Sequence, residues 1–440
     1  MLKEKNFLED ITSYALKKFK ELGTTESEVA CSHSVTEEIL VRNGKFEEIK
    51  KSDEISLGLN AYFEKKKSSI SISNLSKDKI NYAIQKCVDM AKNTPEDKFC
   101  GLADPNFFYK NDNEELSLYD ESTISYEKKE SYIKECENEA LKKKEIFNSN
   151  GASFSEIKSN FFLQNSNGFG DGYKTSYYSV YCDVIAKSNG SMERDYEIAS
   201  KRFFNDLPVA KNIGDTAATR SIKKLNSKKI KSFNGDIILE PRIASSLLAH
   251  FIGSISGHNL ARKVSFIKGE VGESIFGEEV NIIDDPKIPK GLGTKKFDNE
   301  GVSCQKLNIV INGKLNEIFL DTYSAKMLNK KTNGRSSGAT NFFVNNGKTE
   351  TKDLIKDTGK GIYITDLFGS GFNSVTGDFS KGGSGFLIEN GEIKHPVNEI
   401  TIASNILHMF KNLILGNDLE LKYRINSPTI KISNVSIGGI

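Results

Sequence analysis

Asn43-Gly44 separates two runs in which apolar residues recur at every second position, and Asn-Gly is the dipeptide best suited to the positive-φ turn of a tight hairpin. Val29, Cys31, His33 and Val35, then Ile39 and Val41, precede it. Ile55, Leu57, Leu59 and Ala61, then Ile70 and Ile72 among serines, follow. Comparable turn signals return at Asn165-Ser166-Asn167-Gly168, Asn189-Gly190, Asn312-Gly313, Asn346-Gly347 and Asn390-Gly391. A chain punctuated in this way is built chiefly from antiparallel strands, with helices in the intervals.

Four intervals carry a helical period. Phe7, Leu8, Ile11, Ala15, Phe19 and Leu22 share one face and stop at Gly23. Ser76 is placed to cap a helix whose Ile80, Ala83, Ile84, Cys87, Val88 and Ala91 form a stripe before Pro95. Ser125 to Ile146 is strongly charged, with a narrow stripe of Tyr126, Ile133, Cys136, Ala140 and Leu141 that suits a helix lying on a sheet. After Pro241, Ala244, Leu247, Leu248, Phe251, Ile252 and Ile255 predict a buried helix, with Gly253 and Gly257 thinning one side for close packing.

The expected fold class is α+β: an N-terminal α/β portion with small antiparallel sheets and helices, then a β-rich, barrel-like C-terminal domain. The expected divisions are 1–105, 106–225 and 226–440, the last set off by the lysine-rich Ser221 to Ser232 stretch. A chain of 440 residues exceeds the roughly 250–300 that one core sustains, so several domains are expected.

Lys plus Arg number 61 against 59 Asp plus Glu, spread without a basic block, which argues against nucleic acid as a ligand. Six scattered cysteines form no C-x-x-C pair, and Met1 to Gly23 is an amphipathic, charged pattern rather than an apolar leader. A reduced, cytoplasmic protein is the expectation. No uncharged apolar run approaches the roughly 20 residues of a membrane span, so no membrane is expected as a partner.

Familiar catalytic signatures are missing. No glycine cluster supplies the Lys and hydroxyl of a phosphate-binding loop, and Gly253-Ser254-Ile255-Ser256-Gly257 has Ile where a nucleophile elbow needs Ser. Of five histidines, His250 and His258 share a helical segment, but eight residues turn a helix about 80° past two full turns, so they do not form the i, i+4 pair that grips zinc. The carboxylates Asp284, Asp285, Asp298, Glu300, Asp321, Asp378, Glu399 and Asp418 stand in turn contexts, where such groups usually bond their own backbone. An acid and base pair among them is not chosen by sequence alone. The densest constellation runs from Gly369 to Ser380, followed by Gly382, Gly383 and Gly385. Glycine at this density permits either close approach of another backbone or tight β turns.

Several segments taken together resemble the TldD/PmbA family, once called modulators of DNA gyrase, and most closely its PmbA (TldE) branch. They are Phe297-Asp298-Asn299-Glu300-Gly301, Tyr323-Ser324-Ala325-Lys326, Asn373 to Ser380, Asn398 to Ala403 and Gly416-Asn417-Asp418-Leu419. Asn165 to Gly168, Arg194-Asp195-Tyr196, the first hairpin and the Ser76 helix extend the likeness over nearly the whole chain. The resemblance implies a heterodimer. A TldD-like subunit carries H-E-x-x-x-H with zinc, and a PmbA-like subunit closes the chamber in which small or unfolded peptides, including antibiotic and antitoxin precursors, are cut. Setting the first histidine of that motif on His250 places Phe251 and Ile255 at the other two positions, and starting at Ala249 recovers it no better. A cysteine ligand near the C-terminus is also missing: the last cysteine is Cys304, and Ser427 stands in the tail.

The expectation is therefore a PmbA/TldE-like subunit with no catalytic residue and no metal site of its own. Zinc is expected in the TldD-like partner, and a peptide is the substrate. Asn373, Thr376, Gly377 and Asp378 are the candidate contacts to peptide or partner, through added-strand pairing. The alternatives are a stand-alone peptide-binding or regulatory protein and an independent hydrolase using the carboxylates above.

Overall fold

A computed structural model describes residues 2–110 and 114–440. In chain order the first half runs α1 (Lys5–Glu21), β1 (Glu26–Arg42), β2 (Lys45–Phe63), β3 (Lys66–Ile72), α2 (Lys77–Asn93), α3 (Tyr126–Leu141), β4 (Ile146–Asn165), β5 (Gly170–Ser188), β6 (Ser191–Lys201) and α4 (Ala210–Lys223). The six strands form one antiparallel sheet in the order β3-β2-β1-β4-β5-β6. The first hairpin and the later meander therefore join, β1 to β4, with Glu28 opposite Asn165 and Val41 opposite Ala152.

The period-two pattern explains the layering. Val29 and Cys31 of β1 enter a core with Leu8 and Phe19 of α1 and Ile84 and Val88 of α2. Ile39 and Val41, on the same side of that strand, enter a second core with Ile133 and Cys136 of α3 and Ile213 and Ala217 of α4. Both helix pairs thus cover one face. Gly214 allows α4 to lie directly on α3, because a Cβ there would stand 1.9 Å from the Cys136 carbonyl oxygen. Between the two helix pairs the face is ionic: Glu37 and Glu156 sit opposite one another, and the buried Lys129 ammonium bonds both, 2.7 Å from Glu37. The opposite face is hydroxylic, with Ser32 2.9 Å from Ser56, Ser34 2.8 Å from Ser159, and the Tyr177 hydroxyl donating to Ser200 at 2.7 Å.

The second half continues with β7 (Phe233–Leu239), α5 (Pro241–Ser254), α6 (Gly257–Ala261), β8 (Ile282–Asp285), β9 (Leu307–Ile311), β10 (Lys314–Leu315), α7 (Thr322–Met327), β11 (Asn341–Val344) and α8 (Thr351–Lys356). It ends with β12 (Lys360–Phe368), β13 (Asp378–Glu389), β14 (Glu392–Asn405), α9 (Ile406–Lys411), β15 (Leu413–Leu415), β16 (Ile425–Asn426) and β17 (Ile430–Gly438). The order β14-β13-β12-β7-β17, closed by β14 on β17 at Thr401–Gly438 and Ile402–Ile437, makes a five-stranded barrel with β15 attached outside. A smaller sheet, β10-β9-β8-β11-β16, lies beside it. The barrel-like expectation holds, and α5 lies between barrel and small sheet, where Leu247, Leu248 and Phe251 join a continuous core with Ile237, Ile364 and Phe342.

One packing expectation is corrected. Gly257 does lie tight, its Cβ position 2.5 Å from Ser324 Oγ, but Gly253 has nothing within 4 Å and thins no contact. No described helix is long and apolar enough to cross a membrane.

Three contacts of different kinds are prominent where the two halves meet. Phe297 inserts among Phe161, Phe169 and Tyr173. Arg202 donates to the carbonyls of Gly291, Leu292 and Thr294. Asp195 of β6 is buried between Lys224 at 2.7 Å and Arg242 of α5 at 3.1 Å.

Candidate functional site

The glycine-dense segment is a β turn that continues into the β12–β13 hairpin. Gly371 lies against β13 so closely that a Cβ would stand 1.7 Å from the Ser380 carbonyl oxygen, and Ser380 N–H donates to Gly371 at 2.6 Å. The chain then turns back on itself: Asn373 N–H donates to the Asp378 carbonyl and Gly377 N–H to the Asn373 carbonyl, both at 2.9 Å. Gly377 has φ +79°, the left-handed region open to glycine at no steric cost. Its carbonyl accepts from Ile406 N–H at 2.8 Å, so the turn is fastened to the start of α9.

Asn373, Thr376, Gly377 and Asp378 are therefore brought together in a single turn. Their polar groups serve it first. Asn373 Oδ1 accepts from the N–H groups of Val375 and Thr376, and Thr376 Oγ1 donates to Asp378 Oδ2 at 2.6 Å. Asn373, Thr376 and Asp378 are exposed, as are the apolar Phe368 and Val375, each about half accessible. Asn405, whose amide donates to the Thr376 carbonyl at 3.0 Å, completes the turn. Sequence reading passed over it because it comes from 29 residues away, through the register that sets Asp378 opposite Asn405.

Beneath this turn lies His250 of α5. Its ring stacks on Phe372 at 4.1 Å between centroids and meets the edge of Phe379 at 6.1 Å. Nε2 is buried without a hydrogen-bond partner. Burial, with Lys381 nearby, pushes its pKa down to about 4, so the imidazole is neutral at physiological pH. Phe251 points into the core, and Ser254 Oγ donates to the Phe251 carbonyl at 2.7 Å. The side chains around His250 are aromatic or cationic and do not fit a zinc ion, and among the described residues no three His, Cys, Asp or Glu groups converge on a metal position.

The carboxylates named from sequence divide by role. Asp284 is fully buried on Arg335 at 2.6 Å. Asp285 accepts from Lys287 N–H, Asp321 caps α7 through Ser324 N–H, and Asp418 takes both Thr429 N–H and its hydroxyl, as turn chemistry predicts. Glu399 pairs with Lys229 at 2.9 Å. Asp298 also bonds its own turn, accepting from the N–H groups of Glu300 and Val302, but it and Glu300 are set apart by burial. Both are desolvated at the junction of the halves, which raises both, Glu300 to about 7. Glu28 of β1, raised to about 7 mainly by burial and also by Asp298, faces them from the sheet. His258 Nε2 bonds Asp321 at 2.7 Å, with its ring stacked on Tyr323.

A barrel and flanking sheet joined to a long helix-covered sheet, with His250 on α5 beneath the glycine turn, make up the architecture. Three domain models of one family match in order: PmbA/TldA metallopeptidase domain 1 over residues 27–93, the central domain over 119–225 and the C-terminal domain over 232–439. The chain belongs to the PmbA/TldD metallopeptidase family. It is 32% identical over 441 residues to Metalloprotease PmbA of Escherichia coli O157:H7, covering 99% of this chain and 97% of that one. It is likewise 32% identical to the Metalloprotease PmbA homolog of Haemophilus influenzae, over 98% and 96% of the two chains. A Bacteroides thetaiotaomicron structure described as a candidate modulator of DNA gyrase superposes with TM-score 0.93 at 29% identity, covering all of both chains. TldE from Thermococcus kodakarensis shares the fold, with TM-score 0.85 at 20% identity, over 98% of this chain and all of that one.

Proposed function

We propose that this chain is the PmbA/TldE-like subunit of a TldD/TldE-type zinc metallopeptidase that cuts small or unfolded peptides, with zinc and general base supplied by a TldD-like partner. The observation that carries the reading is His250. It occupies the helix on which a zinc motif would be sought, yet its ring lies against Phe372 with the Lys381 cation nearby, and the next residue is a core phenylalanine. Zinc hydrolysis needs about three protein ligands, a bound water and a base, and this surrounding offers neither ligand set nor base.

In this reading the turn Asn373–Asp378, with Phe368 and Val375, supplies the contact to partner or peptide: exposed apolar tips beside a hairpin. The six free, buried cysteines accord with a reducing, cytoplasmic setting.

Elemental analysis and a peptide-cleavage assay, run on this chain, on a TldD-like subunit and on their mixture, test the proposal. The expected result is no stoichiometric zinc and no cleavage by this chain alone, with cleavage in the mixture exceeding that of the partner alone. One zinc per isolated chain with chelator-sensitive activity would overturn it. Peptide binding with no effect on any TldD-like subunit would favour a stand-alone peptide-binding protein.

A further inference from the structure

The outer edge of β2 is half used. β3 pairs with it from Leu57 to Phe63, whereas among the described residues no strand or bridge takes the outer edge of Lys45–Ser56. The stretch is rigidly presented: the inner edge is laddered to β1 throughout, and Glu137 of α3 accepts the N–H groups of Asn43 and Gly44 at 2.9 and 2.8 Å, pinning the turn. It is exposed almost throughout, including Phe46 and Ile49. Such an edge offers every second residue's backbone N–H and C=O to another strand.

The charges on it are ordered. From Lys45 the sequence reads Lys-Phe-Glu-Glu-Ile-Lys-Lys-Ser-Asp, acids before Ile49 and bases after it. An antiparallel copy centred on Ile49 sets Ile49 on Ile49 and Glu48 on Lys50, twice by symmetry. Glu47 is the bulged residue where the β1 register shifts, so the faces change there, and beyond it Phe46 rather than Glu47 shares a face with Lys51. A two-fold axis normal to the sheet keeps each residue on its own face, so from Glu48 onward, past the bulge, opposite residues must share parity. The neighbouring registers of that parity set Glu48 on Glu48 or Lys50 on Lys50, and like charges directly opposite oppose pairing. A register centred on Ser52 avoids like charges but runs the copy's residues 43–47 into β3, which already pairs with β2 from Leu57 onward. The Ile49 register stops that turn opposite Glu54, clear of β3.

We propose that the Lys45–Asp53 edge is a self-association surface, at which a second copy of this chain adds antiparallel and extends the six-stranded sheet across a two-fold axis. Lysine and glutamate on an edge discourage foreign strands, and their order selects this chain's own copy. The short ladder makes the contact weak and salt-sensitive. This surface lies on the N-terminal sheet, away from the Asn373–Asp378 turn, so it stands or falls independently of the proposed partner.

Sedimentation velocity on the full chain, from about 1 to 200 µM and at low and high salt, should show a monomer–dimer equilibrium weakened by salt. Glu47→Lys with Glu48→Lys makes the edge basic, and Lys50→Glu with Lys51→Glu makes it acidic. Each double variant alone should dimerise at least about tenfold more weakly, and mixing them should restore dimer, because only the mixture has opposite charges throughout. Circular dichroism confirms that both remain folded. Ile49→Cys should cross-link to itself under oxidised glutathione, whereas Asn74→Cys, on the exposed connection after β3, should not. A monomeric parent chain across the range, an undiminished dimer in either double variant, or a mixture that stays monomeric would each overturn the proposal.

Discussion

The N-terminal sheet and the C-terminal barrel solve the same problem in opposite ways. The barrel closes β14 on β17, so its ladder has almost no free edge, and α5 and the small sheet pack against it. The sheet remains open, buries one face under two helix pairs and leaves a hydroxylic face partly wet. Closure costs conformational freedom at tight crossings: Gly385 leaves only 2.0 Å between a Cβ position and the Tyr363 carbonyl, and Gly371 less. The open sheet has one comparably close strand approach, at Gly172 of β5 against the Phe161 carbonyl, and adds another between helices at Gly214, each with 1.9 Å to a Cβ position. Glycine thus marks tight strand approaches in both halves and a helix crossing in the open one, and its density in the sequence rises after residue 230, where the barrel begins.

If the halves are distinct in this way, Gly214→Val should break only one of them. Its branched side chain must push α4 off α3, a loss above about 3 kcal/mol. Hydrogen exchange should show β4 and β5 amides losing protection while β7, β12 and β17 keep theirs. Equal loss in both halves would show that they melt as one.

Asp195→Ala tests the join. It leaves Lys224 and Arg242 buried without their counter-charge, for a cost of about 3 kcal/mol. Separate unfolding steps for the two halves should then appear in calorimetry. Asp195→Asn, which keeps the shape, should cost less.

The other side of the join responds to pH in a defined direction. Glu28 and Glu300 have folded pKa values raised to about 7 from the usual 4.5, so the folded state holds protons that the unfolded chain has released. Their stabilisation is complete below the unfolded value and is lost as pH rises through about 7. Glu300→Gln should match the parent near pH 5 and exceed its stability at pH 8 by about 1 kcal/mol in urea titrations. An unchanged difference across that range would remove the assignment.

His250 gives an effect of opposite sign. Its folded value near 4 lies below the usual 6.5, so stability is complete above 6.5 and declines as pH falls toward 4. His250→Phe should flatten that acid limb, with a gain of about 1 kcal/mol at pH 4.5 over the parent. Its aromatic ring preserves the stack on Phe372.

Periodicity made much of this legible. The Asn43-Gly44 and Asn189-Gly190 turns, α2 after Ser76 and α5 after Pro241 stand where the residues place them. The Ser125 helix forms too, with Ser125 Oγ accepting from Lys128 N–H, but it ends at Leu141, and Ile146 opens β4 instead. Helix α4 left no readable stripe because its buried face is Ala210, Gly214, Ala217, Ala218 and Ser221 around one Ile213. Small residues carry little hydrophobic contrast, although they are what a close helix crossing requires. The barrel closure was readable only as a class, because Thr401 meeting Gly438 depends on bulges at Gly383–Gly385 and Ile432–Val435 that no local pattern announces. The Asn373 turn was visible in its glycines, but its anchor on Asn405 was not.

The β1–β4 pairing also governs the order in which this protein can be made. Glu28 finds its strand partner at Asn165, so the middle of the sheet cannot assemble until some 140 further residues have been synthesised. Until then β1 and β2 can pair only with each other and with β3, and the β4 side of β1 stands open on a nascent chain. Closing so long a loop is slow, while the barrel behind it brings β12, β13 and β14 together by short hairpins. Emerging from the ribosome, β1 keeps its β4 side exposed to wrong partners throughout that interval. The alternating serines and charged edge of the N-terminal half are then a safeguard during synthesis as much as a property of the finished sheet.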